Sequence, residues 1–254
     1  MGPAVRVGRI DDYISLPNEC GRGQSRLCGG GADLLEELGV DMTRADSLVA
    51  RLDLWLRTHR PSYHAKLLPG ASASRIAALE RRVGSALPPL LKEMLTWRDG
   101  AGWARDGAGW VDVGDKENLA CEGMWMSIEE ITEVMTMLDD MTMVDEWERD
   151  NWWCVGWVPF LQTIGDDCLC VDLVGSFGGR PGQVLEFVHD DGWRPIRHRS
   201  FDAWLKTFVE ALEAGLLTAD EDGFVRAADD DAYDAFVAAR NPGYPIEAEA
   251  GPRR

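Results

Sequence analysis

The 254-residue sequence has few basic residues, few cysteines and no long apolar run. Lysine and arginine total 26 against 44 aspartates and glutamates, so the net charge is −18. Because binding to phosphate groups depends on cationic side chains, this balance argues against nucleic acids and anionic membranes as ligands. No apolar run is long enough to cross a bilayer. Asp11 and Asp12 also interrupt the place where a signal peptide carries its apolar segment, so we expect a cytoplasmic protein.

Cysteine, histidine, serine and aspartate, which support catalysis or metal binding, are present, but they do not occur in the sequence motifs of known catalytic or metal sites. The six cysteines form no Cys-x-x-Cys pair. Strand alternation would place Cys168, Cys170 and Asp172 on one face, a set that could ligate zinc, but burial in an apolar strand explains the same pattern. No serine-nucleophile elbow and no phosphate-binding loop occurs. We therefore predict no metal, no cofactor and no catalytic residues.

Apolar residues at helical spacing predict helices near both ends of a central group of strands. The two strands in the middle join at Gly165-Asp166, and a hairpin turns at Asp191-Gly192. This order predicts an α+β fold with a central, mainly antiparallel sheet flanked by helices. Residues 1–42 are predicted to be a disordered N-terminal extension, residues 43–215 a domain, and residues 216–254 an acidic C-terminal extension with a frayed end. The predicted helices cover about 43–59, 74–84, 88–98, 127–138 and 201–214.

Tryptophan is the residue in excess, with 11 in the chain. Exposed aromatic side chains among polar residues are typical anchors of protein interfaces, and net negative charge attracts a basic protein partner. Two alternatives stay open: that the tryptophans line a core beneath loops, and that the acidity only maintains solubility. The candidate partner-binding residues are Trp103, Trp110, Trp147, Trp152, Trp153 and Trp193, together with the turn carboxylates Asp166, Asp167, Asp190 and Asp191.

Several short motifs occur in an order that resembles the SMI1/KNR4 domain of the SUKH superfamily, over residues 43–215. The run RIAALERRVGSALPPLLKEMLTWRDG is similar to the helix, Leu-Pro, helix and Asn-Gly that open that domain, although Asp99 replaces the commoner asparagine. Later motifs are similar to its Trp-Ile-Pro strand and its Gly-Asp…Leu…Asp-Leu element. The residues of this chain that match are Glu80, Pro88, Gly100, Trp157, Pro159, Gly165, Asp166 and Asp172.

The resemblance implies a function in protein binding. Bacterial members of the family are regarded as immunity proteins that bind and neutralise a cognate polymorphic toxin, often a basic nuclease. Fungal relatives regulate cell-wall synthesis through protein interaction, which gives the alternative of a regulatory scaffold bound to an endogenous enzyme. In either case the resemblance implies a central sheet flanked by helices, a mainly structural role for the matched residues, and no catalysis. The oligomeric state stays open.

Overall fold

The described part of the chain begins with four helices whose ends follow local sequence signals. The computed structural model describes residues 47–101, 117–142, 149–150, 152–163 and 165–252. The hydroxyls of Ser47 and Ser72 accept hydrogen bonds from the first turns of two helices, and Gly84 ends one of these in the left-handed conformation, with φ of 69°. The four helices are α1 (Leu48–His59), α2 (Pro61–Lys66), α3 (Ala73–Val83) and α4 (Pro89–Trp97).

Helix α2 is an addition to the predicted elements. Pro61 follows the end of the first predicted helix, and in the structure it occupies the first turn of α2. Because proline lacks a backbone N–H, and the N–H groups of a first helical turn have no helical partner, the same residue ends α1 and begins α2. The predicted N-terminal extension, residues 1–42, lies outside the described residues, as do Trp103, Trp110 and Trp147.

Five antiparallel strands form the central sheet in the order β1-β3-β4-β5-β6, which confirms the predicted fold class. Strands β3 and β4 are the pair predicted to join at Gly165-Asp166, and β5 and β6 form the predicted hairpin. Two smaller pairs, β2 with β9 and β7 with β8, stand beside it. The strands are β1 (Met124–Trp125), β2 (Arg149–Asp150), β3 (Trp157–Gln162), β4 (Cys168–Asp172), β5 (Gln183–Phe187), β6 (Ile196–His198), β7 (Leu217–Ala219), β8 (Val225–Ala227) and β9 (Gly251–Pro252).

Three more helices lie between strands along the chain: α5 (Ile128–Met141) between β1 and β2, α6 (Phe201–Glu213) between β6 and β7, and α7 (Asp230–Arg240) between β8 and β9. The predicted capping box of α5 is present, since Ser127 Oγ accepts from the N–H of Glu130 at 3.2 Å and Glu130 Oε2 accepts from the N–H of Ser127 at 2.8 Å. No helix in the described ranges is long and apolar enough to span a membrane.

Aromatic side chains fill the core on both faces of the sheet. On one face Phe160 of β3 packs against Phe201 and Trp204 of α6, with ring centroids 5.1 and 4.7 Å apart. On the face that carries Cys168, the rings of Trp152 and Trp153 both lie 5.3 Å from Phe187, which pairs with Cys168 across β4 and β5. The strand segment between the tryptophans and the helices is therefore buried on both sides.

Residues 246–250 of the C-terminal segment, which the sequence predicts to fray, lie along the edge of the sheet. Ile246 exchanges two backbone hydrogen bonds with Ile196 of β6, at 2.9 and 3.0 Å, and the N–H of Arg194 donates to the carbonyl of Ala248 at 2.7 Å. The segment thereby supplies hydrogen-bond partners to a strand that would otherwise be an open edge. The described residues all belong to one compact unit, Met42–Arg254.

Candidate protein-interaction surface

Two loops that carry predicted carboxylates meet at one end of the central sheet. Strands β3, β4, β5 and β6 are antiparallel neighbours, so the β3–β4 turn and the β5–β6 loop lie side by side. Asp167 Oδ1 accepts from the backbone N–H of His189 at 2.9 Å and lies 3.0 Å from its Nδ1, while His189 Nε2 lies 2.9 Å from Asp190 Oδ1. We call this surface the acidic end; it comprises Asp166, Asp167, Asp190, Asp191 and Trp193.

The β3–β4 turn places Asp166 in solvent. Its backbone is left-handed, with φ of 64°, a conformation that aspartate tolerates better than most residues. The side-chain amide of Gln162 donates to Asp166 Oδ1 at 3.2 Å, and the N–H of Gly165 donates to Thr163 Oγ1 at 3.2 Å. The turn is thus held by its own side chains, and the Asp166 residue remains exposed.

The β5–β6 loop is fixed from below by Arg194, which is completely buried. Its Nη1 donates to the carbonyls of Val188, Asp191 and Trp193 at 2.6 to 2.7 Å. Its Nε and Nη2 donate to the carbonyl of Trp152 at 3.2 and 2.9 Å. Because one guanidinium satisfies carbonyls along the loop, the exposed residues Asp190 and Asp191 are presented by an ordered backbone.

Trp193 is the tryptophan of the acidic end. It is 37% exposed; its Nε1 donates to Glu247 Oε2 at 2.8 Å, and the guanidinium of Arg197 lies 5.0 Å from the ring centroid. Trp152 and Trp153, nominated with it as partner anchors, are 1% and 9% exposed. Trp153 also donates from Nε1 to Asp139 Oδ1 at 2.9 Å. These two residues belong to the core, which corrects their nomination, because a buried ring has little surface to offer a partner.

Comparison with known proteins identifies the family to which the chain belongs. The model of the SMI1/KNR4 family (SUKH-1) matches residues 70–207, which include both loops of the acidic end. The chain belongs to the SMI1/KNR4 family. It is also 23% identical over 185 residues to the cell wall biosynthesis/cell cycle regulator smi1 of Schizosaccharomyces pombe. The aligned part is 68% of this chain and 37% of that protein, so the chain spans little more than a third of the length of this curated relative.

Asp172 and Trp157, two matched residues of the SMI1/KNR4 pattern, organise the loop after β4. The buried carboxylate of Asp172 accepts from the backbone N–H groups of Val174, Gly175 and Ser176, at 2.6 to 3.0 Å, and from Nε2 of Gln183 at 2.8 Å. Trp157 donates from Nε1 to Ser176 Oγ at 2.7 Å. These contacts satisfy a buried charge and a buried indole, which is a structural role.

Glu80 and Pro88, also in the SMI1/KNR4 pattern, shape the connection between α3 and α4. Glu80 Oε1 accepts from the N–H of Leu87 at 3.0 Å and lies 3.2 Å from Lys92 Nζ. The Leu87 N–H lowers the pKa of Glu80, and Lys92 adds to the shift. Pro88 is the N-cap residue of α4, directly before Pro89 in its first turn. The glutamate thus ties the connection to the end of α3.

Pro159 and Gly100, two further residues of the SMI1/KNR4 pattern, occupy backbone positions in this chain that suit proline and glycine. Pro159 lies opposite Cys170 at a register shift in β3, and β1 pairs only with the later residues Leu161 and Gln162 of β3. Gly100 has φ of 84°, and a Cβ there would lie 2.6 Å from the backbone nitrogen of Ser127. A side chain at position 100 would therefore collide with the start of α5.

The cysteines of β4 are core residues. Cys168 and Cys170 are 1% and 0% exposed, and burial raises the pKa of the Cys170 thiol well above its ordinary value of 9.0. Across the described ranges, no three His, Cys, Asp or Glu side chains come together as a metal would require. Burial in a two-sided apolar strand accounts for this cysteine pair.

Proposed function

We propose that the protein is a non-catalytic binding domain that acts in the cytoplasm as an immunity protein. Its acidic end would bind the basic surface of a cognate toxin, such as a nuclease, and block access to that toxin's substrate. The observation that carries this proposal is the grouping of four aspartates on two adjacent loops, one of which also carries the partly exposed Trp193, with backbones that Arg194 and Asp167 hold in place. Membership of the SMI1/KNR4 family supports protein binding as the general activity.

The carboxylates and the tryptophan would contribute differently. Exposed charges act mainly on the rate of encounter, since complementary potentials steer two proteins together. An aromatic side chain that becomes buried at the centre of an interface acts on the rate of dissociation, with about 2 kcal/mol or more for a strong anchor. Asp190 and Asp191 are therefore assigned to steering, and Trp193 to retention of the partner.

Co-expression with the product of the neighbouring gene tests the proposal. The wild-type protein should restore growth of cells that produce the toxin, whereas the variant Asp190→Lys/Asp191→Lys should not. A matched control is Glu221→Lys/Asp222→Lys, which reverses two exposed acidic residues in the turn between β7 and β8 and leaves the acidic end intact. Equal loss of protection in both variants would contradict the assignment to the acidic end.

The regulatory alternative predicts a different result in the same strain. If neighbouring genes encode no toxin and the protein instead purifies with an endogenous enzyme whose activity it changes, the protein acts as a regulator. The observation behind this alternative is the similarity to the fungal protein described as a cell wall biosynthesis/cell cycle regulator. Protection against a toxin would contradict this alternative.

A further inference from the structure

A groove opens on another side of the described structure, between the start of β1, the end of β3, the β7–β8 hairpin and the first turn of α7. Its volume is about 740 Å³, and its lining includes Glu122, Met124, Gln162, Asp230 and Tyr233. Gly165, which precedes the acidic end, also borders it. The groove is large enough to accept a long side chain of another protein and lies next to the surface assigned to partner binding.

Glu122 is incompletely satisfied within this groove. Its Oε1 lies 3.4 Å from the hydroxyl of Tyr233, which is a long hydrogen bond. Its Oε2 is buried and accepts no hydrogen bond from any described residue. Burial raises the pKa of Glu122; a hydrogen bond from its own backbone N–H, the hydroxyl of Tyr233 and the positive charge of Arg197 oppose this shift without cancelling it. A buried carboxylate oxygen with no donor is unfavourable, because it has lost its water without gaining a partner.

The cations near the groove are already engaged. Arg226 lines the groove but pairs through Nε with Asp220 Oδ2, and Arg197 pairs through Nε with Glu186 Oε2 at 2.6 Å. Asp230, at the start of α7, adds a second carboxylate to the lining. The groove therefore has an excess of acceptors and negative charge, and a cationic donor is the complementary ligand.

We propose that this groove receives an arginine side chain of the protein partner, whose guanidinium donates to Glu122. The planar guanidinium carries several N–H donors at fixed angles and is more weakly hydrated than the ammonium of lysine, so it suits a recessed carboxylate better. The inference rests on the proposed function, because the arginine belongs to a basic partner. The partner would then contact two places on the protein: the exposed acidic end and this groove, which selects arginine.

Titration with N-acetyl-arginine amide tests the groove without any partner protein. The methyl resonance of Met124, which is 6% exposed and lines the groove, reports binding when the methionines carry ¹³C-labelled methyl groups. The expected result is a saturable shift with the arginine amide and none with N-acetyl-citrulline amide, which has the same shape without the charge. The variant Glu122→Gln should weaken binding about tenfold or more. The matched control Glu221→Gln, at an exposed position outside the lining, should bind as the wild type does.

An equal response to the arginine and citrulline amides, or unchanged binding in Glu122→Gln, would overturn the inference. The comparison of the two amides uses the wild-type chain, so its outcome does not depend on how well a variant folds. If the protein protects against a toxin but does not bind the arginine amide, the groove proposal is contradicted and the immunity proposal is not. If the protein binds the arginine amide but does not protect against a toxin, the immunity proposal is contradicted and arginine binding by the groove is not.

Discussion

Trp193 and Arg194 are neighbours in the chain, yet one presents its ring at the surface and the other is completely buried. The sequence singles out Trp193 through its position after the Asp-Gly turn, whereas nothing local distinguishes Arg194 from a solvated arginine. The role of Arg194 depends on carbonyls that belong to separate segments, Trp152 and the 188–193 loop. Such a convergence is set by tertiary packing, so sequence periodicity could not predict it.

Replacement of Arg194 by lysine should destabilise the fold by about 3 kcal/mol, because one ammonium cannot reach all the carbonyls that the guanidinium serves. Urea unfolding measures the change in free energy. The matched control is Arg199→Lys, at an exposed arginine whose backbone N–H donates to Asn241 Oδ1 in the described structure. A destabilisation of Arg194→Lys no larger than that of the control would contradict the role assigned to Arg194.

Replacement of Glu122 by glutamine should raise stability at neutral pH. Burial raises the pKa of Glu122 above its ordinary value of 4.5 in the folded protein, so the wild type loses stability as the pH rises from 4.5 through the raised pKa. Glutamine stays neutral and avoids this loss. The advantage of the variant in urea unfolding should therefore grow between pH 4.5 and 7 and be constant below that range; a pH-independent difference would contradict it.

At the scale of elements, the connection from α4 to α5 shows what the aspartate before Gly100 contributes. Asp99 Oδ1 accepts from the N–H of Ile128, the first residue of α5, at 2.8 Å. Its other oxygen pairs with Arg75 of α3. An asparagine could accept the first bond, but only a carboxylate supplies the charge for the second. The buried Asp99 thus links the starts of two helices to the end of α4.

Gly100→Ala should destabilise the protein by at least about 3 kcal/mol, since alanine would combine a left-handed backbone with a collision against Ser127. Gly215→Ala is the matched control, because φ there is 70° and a Cβ would meet nothing within 4 Å. The control should cost only the backbone preference, about 1 kcal/mol. Similar losses in the two variants, measured by urea unfolding, would show that the contact with Ser127 is not the cause.

Removal of residues 244–254 should release the edge of the sheet. The N–H groups of Arg194 and Ile196 donate to Ala248 and Ile246, so both should lose protection in amide hydrogen exchange. The N–H of Glu186, which donates to the carbonyl of Pro195, is the internal control and should stay protected. Unchanged protection at Arg194 and Ile196 would contradict the role of this segment as an edge strand.

The elements that the sequence predicts are those whose signals are local. The capping box of Ser127 and Glu130, the stripe of α6 and the turns at Gly165-Asp166 and Asp191-Gly192 depend on residues a few positions apart. The C-terminal segment alternates apolar and charged residues over positions 246–250, but alanine and glutamate are poor strand formers, so this signal is weak. The segment pairs with residues about fifty positions earlier, around Arg194 and Ile196. Its place in the sheet depends on the unpaired edge of β6, a property that exists only in the folded molecule.

At the scale of the molecule, the net charge of −18 comes from acidic residues that differ in whether a basic side chain neutralises them. Arginines form ion pairs between elements, which neutralise some of the acidic residues within the fold. Two aspartates of the acidic end, Asp167 and Asp190, lie within hydrogen-bond distance of His189, and the Asp190 side chain is 81% exposed. The excess negative charge there is available to an approaching protein. Such pairs include Arg51–Glu213, Arg82–Asp139 and Arg240–Glu210.

The rate of association with the toxin that the proposal assigns to a neighbouring gene tests the central claim most directly. Stopped-flow measurement should show that Asp190→Lys/Asp191→Lys slows association about tenfold or more at low salt, with a much smaller effect of Glu221→Lys/Asp222→Lys. Raising the ionic strength from roughly 0.05 M to 0.5 M should slow the wild type and reduce the difference between the proteins, because salt screens exposed charges. A rate independent of salt, or equal slowing by the two double variants, would contradict binding through the acidic end.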